Sequence, residues 1–242
     1  MSKTEDSKEK LNIIDSNSPF SVIEAYKTLR ANLQFVCPHE GCKIICVTSS
    51  IAHEGKSSTS VNLAVAISET EQKVLYIDGD MRASRIAKDL SLSSKVGLAE
   101  ILAGVKKVTD DGIIQHIGNN TFLDIIVAGK NPPNPSELLN SERMVELLEE
   151  AKKNYDYVII DGAPIGIVSD VLVLSPYIDG YVLVVRADET TRLMLQDSIS
   201  SIKRVGGKVL GLILNGVKTK GSSYGKYGKY GKYGKYGSYY GK

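Results

Sequence analysis

The stretch Ser49-Ser50-Ile51-Ala52-His53-Glu54-Gly55-Lys56-Ser57-Ser58 decides the fold. It follows the apolar run Ile44-Ile45-Cys46-Val47-Thr48 and opens into Thr59-Ser60-Val61-Asn62-Leu63-Ala64-Val65-Ala66-Ile67, a strand pattern giving way to a helical one. Gly-Lys-Ser at such a junction has a physical use. Backbone N–H groups at a helix N-terminus surround phosphate oxygens, a lysine neutralises the β and γ oxygens, and a serine hydroxyl ligates Mg²⁺. The candidate nucleotide-contacting residues are therefore Ser50, His53, Glu54, Gly55, Lys56, Ser57 and Ser58, with Ser50 standing where such loops usually begin with glycine.

Two further apolar runs end in carboxylates. Val74-Leu75-Tyr76-Ile77 leads to Asp78 and Asp80, and Tyr157-Val158-Ile159-Ile160 leads to Asp161. One aspartate at a strand end is ordinary turn chemistry. Three strands that each deliver a phosphate loop or an acid at the same end describe the carboxyl edge of a nucleotide-binding sheet. Phosphoryl transfer needs positioning and charge neutralisation, so Ser57, Asp78 and Asp161 are the expected metal set, and Lys56, Asp78, Asp80 and Asp161 the expected catalytic set. Either Asp78 or Asp80 could accept a hydroxyl proton.

Outward from these motifs, the runs at 122–129, 180–185 and 208–215 alternate with amphipathic segments. That alternation predicts an α/β fold, a mostly parallel twisted sheet with helices on both faces. Residues 98–103 predict a short helix, and Asn131 to Leu139 predicts a proline-broken loop opening a helix capped by Ser136. Four segments are expected: a solvated leader at 1–17, a docking helix at 18–36 capped by Ser18, a nucleotide-binding domain at 37–217, and a flexible tail at 218–242. The helix should dock through Val22, Tyr26, Leu29, Leu33 and Val36, which share one face.

Composition narrows the function classes. The chain has 242 residues, enough for one core without staples, and its three cysteines match neither a zinc clip nor a disulfide framework. No stretch reads as a secretion signal or membrane span, so a cytoplasmic protein is expected. The net charge is +2, yet the seven charges after Val217 are all lysines, which leaves the preceding residues at −5. The same tail holds seven of the thirteen tyrosines, Tyr224, Tyr227, Tyr230, Tyr233, Tyr236, Tyr239 and Tyr240, in a Tyr-Gly-Lys repeat. With no aliphatic residue it cannot build a core.

The loop, the Asp-x-Asp-x-Arg strand end, the strand YVIIDGAP and the tyrosine tail together resemble the bacterial tyrosine kinases of capsule and exopolysaccharide systems. The resemblance covers residues 19–242. It implies a P-loop fold of the MinD/ParA type, ATP and Mg²⁺ as cofactors, and phosphorylation of the tail tyrosines. It also implies a ring-like homo-oligomer, an activating cytoplasmic segment of a membrane protein that holds the chain at the inner membrane face, and a phosphotyrosine phosphatase. Glu24, Lys27 and Arg30 are similar to the family's Glu-x-x-Arg-x-x-Arg oligomerisation motif, with lysine in place of the first arginine. Relatives carry Pro-Gly where this chain has Ala52-His53, so His53 must take up a left-handed backbone.

Two other readings compete. Positioning ATPases share the fold but carry a signature lysine where this chain has Ile51. A nucleic-acid-binding ATPase would use the lysines and aromatics of the tail, although nucleic acid is not the expected partner. A GTPase is disfavoured because Asn215-Gly216-Val217-Lys218 lacks the acid of a guanine motif, and Asn215 is instead a candidate adenine contact by resemblance.

Overall fold

The computed structural model describes residues 11–217. Within these residues seven strands form one sheet: β1 (Lys43–Ser49), β2 (Val74–Asp78), β3 (Ile114–Gln115), β4 (Leu123–Ile126), β5 (Tyr157–Asp161), β6 (Gly180–Arg186) and β7 (Val209–Asn215), in the order β3-β4-β2-β5-β1-β6-β7. All neighbours are parallel except the two-residue β3, which runs antiparallel to β4 at one edge and has no periodicity long enough to read from sequence. Every residue of β2 and β5 is buried, as expected of strands covered on both faces.

Among the described residues seven helices flank the sheet: α1 (Phe20–Val36), α2 (Lys56–Ser68), α3 (Ile86–Asp89), α4 (Leu98–Leu102), α5 (Pro135–Leu139), α6 (Glu142–Asn154) and α7 (Arg192–Arg204), with a 3₁₀ turn at Asp170–Leu174. Side chains alternate across the strands into two cores. Ile44, Leu75, Ile77, Val158 and Ile160 face α4, α5, α6 and the 3₁₀ turn, whereas Ile45, Val47, Tyr76 and Ile159 face α1 and α2.

The expected docking stripe of α1 is present, with Leu33 buried and Tyr26, Leu29 and Val36 packed beside it, while Val22 stays exposed. Three expectations require correction. Residues 11–14 are not solvated leader: Ile14 is buried, its N–H donates to Asn62 Oδ1 at 2.8 Å, and Asn62 Nδ2 donates to the Asn12 carbonyl at 2.9 Å. One amide on α2 thus grips the segment from both sides. Ser18 does not cap α1, because its hydroxyl exchanges hydrogen bonds with Asp15 and Pro19 precedes the helix uncapped. Ser136 lies inside α5, and its hydroxyl donates to Asp170.

The strand order positions the site. From β1 the chain crosses through α2 to β2, leaving a gap that β5 later fills, while β6 adds on the other side of β1. Asp78 and Asp161 become partners in register on neighbouring strands, and Val47 lies opposite Asp161 on the other side. The crevice outside the carboxyl ends of β1, β5 and β2 is where a sheet of this kind receives its ligand.

Candidate active site

The loop between β1 and α2 is held by its own residues. His53 sits at φ 67° and Gly55 at φ 89°, so the left-handed conformation expected of His53 is the one it adopts. Gly55 has a second constraint: a Cβ there would lie 2.1 Å from Asn215 Nδ2. Glu54 is fully buried and braces the loop, its carboxylate accepting from Ile51 N–H at 2.8 Å, from Arg186 N–H at 3.3 Å and from the Thr190 hydroxyl. With its side chain committed inward, Glu54 has only its backbone N–H to offer a phosphate. Ser50 is buried and accepts a hydrogen bond from Ser198 on α7 at 2.9 Å. Asn215 donates to the Glu54 carbonyl at 2.9 Å and accepts from Gly216 N–H at 2.8 Å, stitching β7 to the loop. The second N–H of the Asn215 amide and the second lone pair of its oxygen are left over from that stitch.

Lys56, at the first turn of α2, reaches into a carboxylate cluster. Its ammonium is 2.7 Å from Asp80 Oδ2, 3.6 Å from Asp161 Oδ2 and 3.2 Å from the Ser57 hydroxyl. Burial opposes its charge, yet Asp161 and Asp80 hold it above its ordinary range. Asp78 is fully buried, and burial reinforced by the neighbouring Asp161 raises its carboxyl from 3.8 to about 7. Burial likewise raises Asp161, with Lys56 pulling the other way. Asp80 accepts a further bond from Ala83 N–H at 3.2 Å, and Asp78 accepts one from the Ser84 hydroxyl.

The donor set fits a hard cation and a polyphosphate. Asp78 Oδ1 and both Asp161 oxygens are buried without a hydrogen-bond partner, and they stand beside the Ser57 hydroxyl and Lys56. Mg²⁺ takes oxygen ligands and commonly keeps several waters, so one or two carboxylates and a serine suffice. Among the described residues no cluster of three or more metal-binding side chains forms a protein-only cage. The N-terminus of α2, with Gly55 turned to φ 89°, supplies the convergent N–H groups that phosphates require.

Two groups of expected residues lie elsewhere. Glu24 and Lys27 pair with each other at 2.9 Å on the exposed side of α1, but Arg30 is turned inward, donating to the Ala66 carbonyl near the end of α2. The three do not present one continuous polar line. The tail tyrosines, Tyr224 to Tyr240, fall outside the described residues.

Sequence reasoning missed a second tier. Arg82, the last residue of the Asp-x-Asp-x-Arg motif, pairs side-on with Asp170, from Nε to Oδ2 at 2.5 Å and from Nη2 to Oδ1 at 3.0 Å. The motif flagged Arg82, but nothing local flags Asp170, 88 residues away.

A family model described as an AAA domain matches residues 42–205. The chain is similar to tyrosine-protein kinase YwqD of Bacillus subtilis (strain 168), 37% identical over 225 residues, covering 92% of this chain and 94% of that protein. Tyrosine-protein kinase etk of Escherichia coli (strain K12) is also 37% identical, but this chain spans only 28% of its length. The solved kinase domain of Escherichia coli tyrosine kinase ETK superposes with a TM-score of 0.79 at 35% identity, covering 94% of this chain and 92% of that one. The septum site-determining protein MinD of Pyrococcus horikoshii, solved with Mg-ADP, has a TM-score of 0.58 at 24% identity over 72% of this chain and 70% of that one, a likeness of fold alone. With its P-loop fold and its identity to YwqD along nearly the whole of both chains, the chain belongs to the bacterial tyrosine-protein kinases.

Proposed function

We propose that this chain transfers the γ-phosphoryl group of Mg-ATP to tyrosine hydroxyls, that its own C-terminal tyrosines are acceptors between subunits, and that this controls capsular or exopolysaccharide synthesis and export. The observation that carries the reading is the buried cluster of Lys56, Asp78, Asp80 and Asp161 beside a helix N-terminus, in a chain with seven tyrosines in a glycine-rich C-terminal segment. In this reading Lys56 and the loop amides hold the phosphates. Mg²⁺, held by Ser57, Asp161 and Asp78, would neutralise charge developing on the phosphoryl oxygens. In this reading Asp80 accepts the tyrosine proton, supported by its contacts with Lys56 and Ala83 N–H at the same edge, and Asp78 is the alternative base.

The partners follow from the same reading. A ring of subunits, built partly through α1, would present each tail to a neighbour's crevice. A cytoplasmic segment of a membrane protein would activate the chain and hold it at the membrane, and a phosphatase would reset the tail. No helix among the described residues is long and apolar enough to cross a membrane. The positioning-ATPase reading is weaker: Ile51 occupies the place of its signature lysine, and the similarity to MinD extends to fold only.

The test is incubation with Mg-ATP and phosphate mapping by mass spectrometry, with an activating segment supplied. Label on the tail tyrosines, lost in Lys56→Met, is the expected result. In a mixture of Lys56→Met chains with tail-deleted chains, label should appear on the Lys56→Met tail. Phosphate release with unmodified tails would overturn the kinase reading in favour of a positioning ATPase.

A further inference from the structure

Three consecutive residues after β2 orient the two motif carboxylates and the loop that bears them. Ala83 N–H donates to Asp80 Oδ1 at 3.2 Å, and the Ser84 hydroxyl donates to Asp78 Oδ2. Arg82, just before them, is turned away from the cluster into its two bonds with Asp170. Asp170 is 2% exposed, at the start of the 3₁₀ turn that follows β5, and it also accepts from the hydroxyl of Ser136 in α5. Arg82 and Ser136 hold its carboxyl below its ordinary range although burial pushes it up. One buried carboxylate therefore ties together the loops after β2, β4 and β5, all at the carboxyl edge.

We infer that Asp170 is a positioning residue for the reaction: by gripping Arg82 it fixes residues 82–84, and these aim Asp80 and Asp78 at the site of transfer. A planar, bidentate arginine–carboxylate pair suits this role because it sets direction as well as distance. Asp80 also neutralises Lys56 at 2.7 Å, so it must keep its place when Lys56 engages a phosphate. The Ala83 N–H, anchored through Arg82, is what holds it then. The same network gives the proline-broken segment Asn131 to Leu139 a role: it delivers Ser136 to Asp170.

The inference rests on the kinase reading for its catalytic half, so the experiment has two arms. In the first, amide hydrogen exchange is measured on the full chain and on Asp170→Asn and Ser136→Ala. Exchange at residues 79–85 should quicken at least tenfold in Asp170→Asn and less in Ser136→Ala, with β1 and β5 unchanged. Unchanged exchange at 79–85 overturns the proposal whatever the activity, and equal acceleration in β1 reduces it to a loss of stability. In the second arm, tyrosine phosphorylation is normalised to nucleotide-binding sites. Asp170→Asn should lower kcat at least tenfold with KM for ATP within threefold of wild type, and Asp170→Glu should recover most of it. Combining Arg82→Ala with Asp170→Ala should cost no more than either alone. Independent, multiplying losses would overturn the proposal. Absence of tyrosine label in wild type would defeat the kinase reading while leaving the exchange arm intact.

Discussion

Asp78→Asn should make the nucleotide-free protein more stable at alkaline pH, and by an amount that grows with pH. Asp78 is fully buried, with one oxygen unpartnered and Asp161 beside it in register, so ionising it inside the fold is costly. Its carboxyl is raised from 3.8 to about 7. Because the folded value lies above the unfolded one, the folded state holds the extra proton between about pH 4 and pH 7. Stability therefore falls as pH rises across that window and levels off above it. At about 1.4 kcal/mol per pH unit, the portion between pH 5 and pH 7 amounts to about 3 kcal/mol. An asparagine does not titrate, so the stability difference between variant and wild type should widen by about that amount from pH 5 to pH 8. A constant offset from the hydrogen bonds of the new amide does not affect this slope. The assay is urea unfolding in EDTA at intervals from pH 5 to pH 8.5, with equal m-values as the check that only stability changed. Mg-ADP should flatten the wild-type slope, since a cation on the carboxylates favours the ionised form. Parallel curves for the two proteins, within about 0.5 kcal/mol, would refute the claim that Asp78 is held protonated by burial.

Two further outcomes follow from the loop and from the N-terminal segment. Gly55→Ala places a Cβ 2.1 Å from Asn215 Nδ2 on a backbone at φ 89°, so nucleotide affinity in a fluorescent-ADP titration should drop at least tenfold. Adding Asn215→Ala should recover the steric part and leave the roughly 1–2 kcal/mol of left-handed strain in the melt. Asn62→Ala leaves Ile14 N–H and the Asn12 carbonyl without their partner, and thermal melts should show a loss of about 2–3 kcal/mol. A loss below about 0.5 kcal/mol would mean that residues 11–14 contribute nothing to the fold.

The elements and their chemistry were legible in the chain because local rules write them. Apolar runs with a period of two, or apolar on both faces, marked six of the seven strands, and the glycine–lysine–serine junction marked the start of α2. The acids at strand ends named Asp78, Asp80 and Asp161 before any contact was visible, because strands delivering charge at one end imply one sheet edge. The left-handed turn at His53 was legible too, though only through the resemblance, since relatives carry glycine at that place in the loop. The two-residue β3 was not, since two residues carry no period.

Everything that depends on which strand lies beside which was decided by the tertiary structure. Asp78 and Asp161 are 83 positions apart, and only the insertion of β5 between β1 and β2 makes them neighbours in register, which adds the repulsion of Asp161 to the burial that pushes Asp78 up to about 7. The carboxylate of Asp170 looked like any acid in a loop, yet it closes on Arg82 across three strand-end loops. Arg30 and Ile14 were read as surface because their patterns are polar or isolated, and packing against α2 buried one and turned the other inward. Periodicity reports which face of an element is apolar. It is silent on single long-range hydrogen bonds, whose partners are chosen by the packing of the sheet, and those bonds orient the groups that the motifs named.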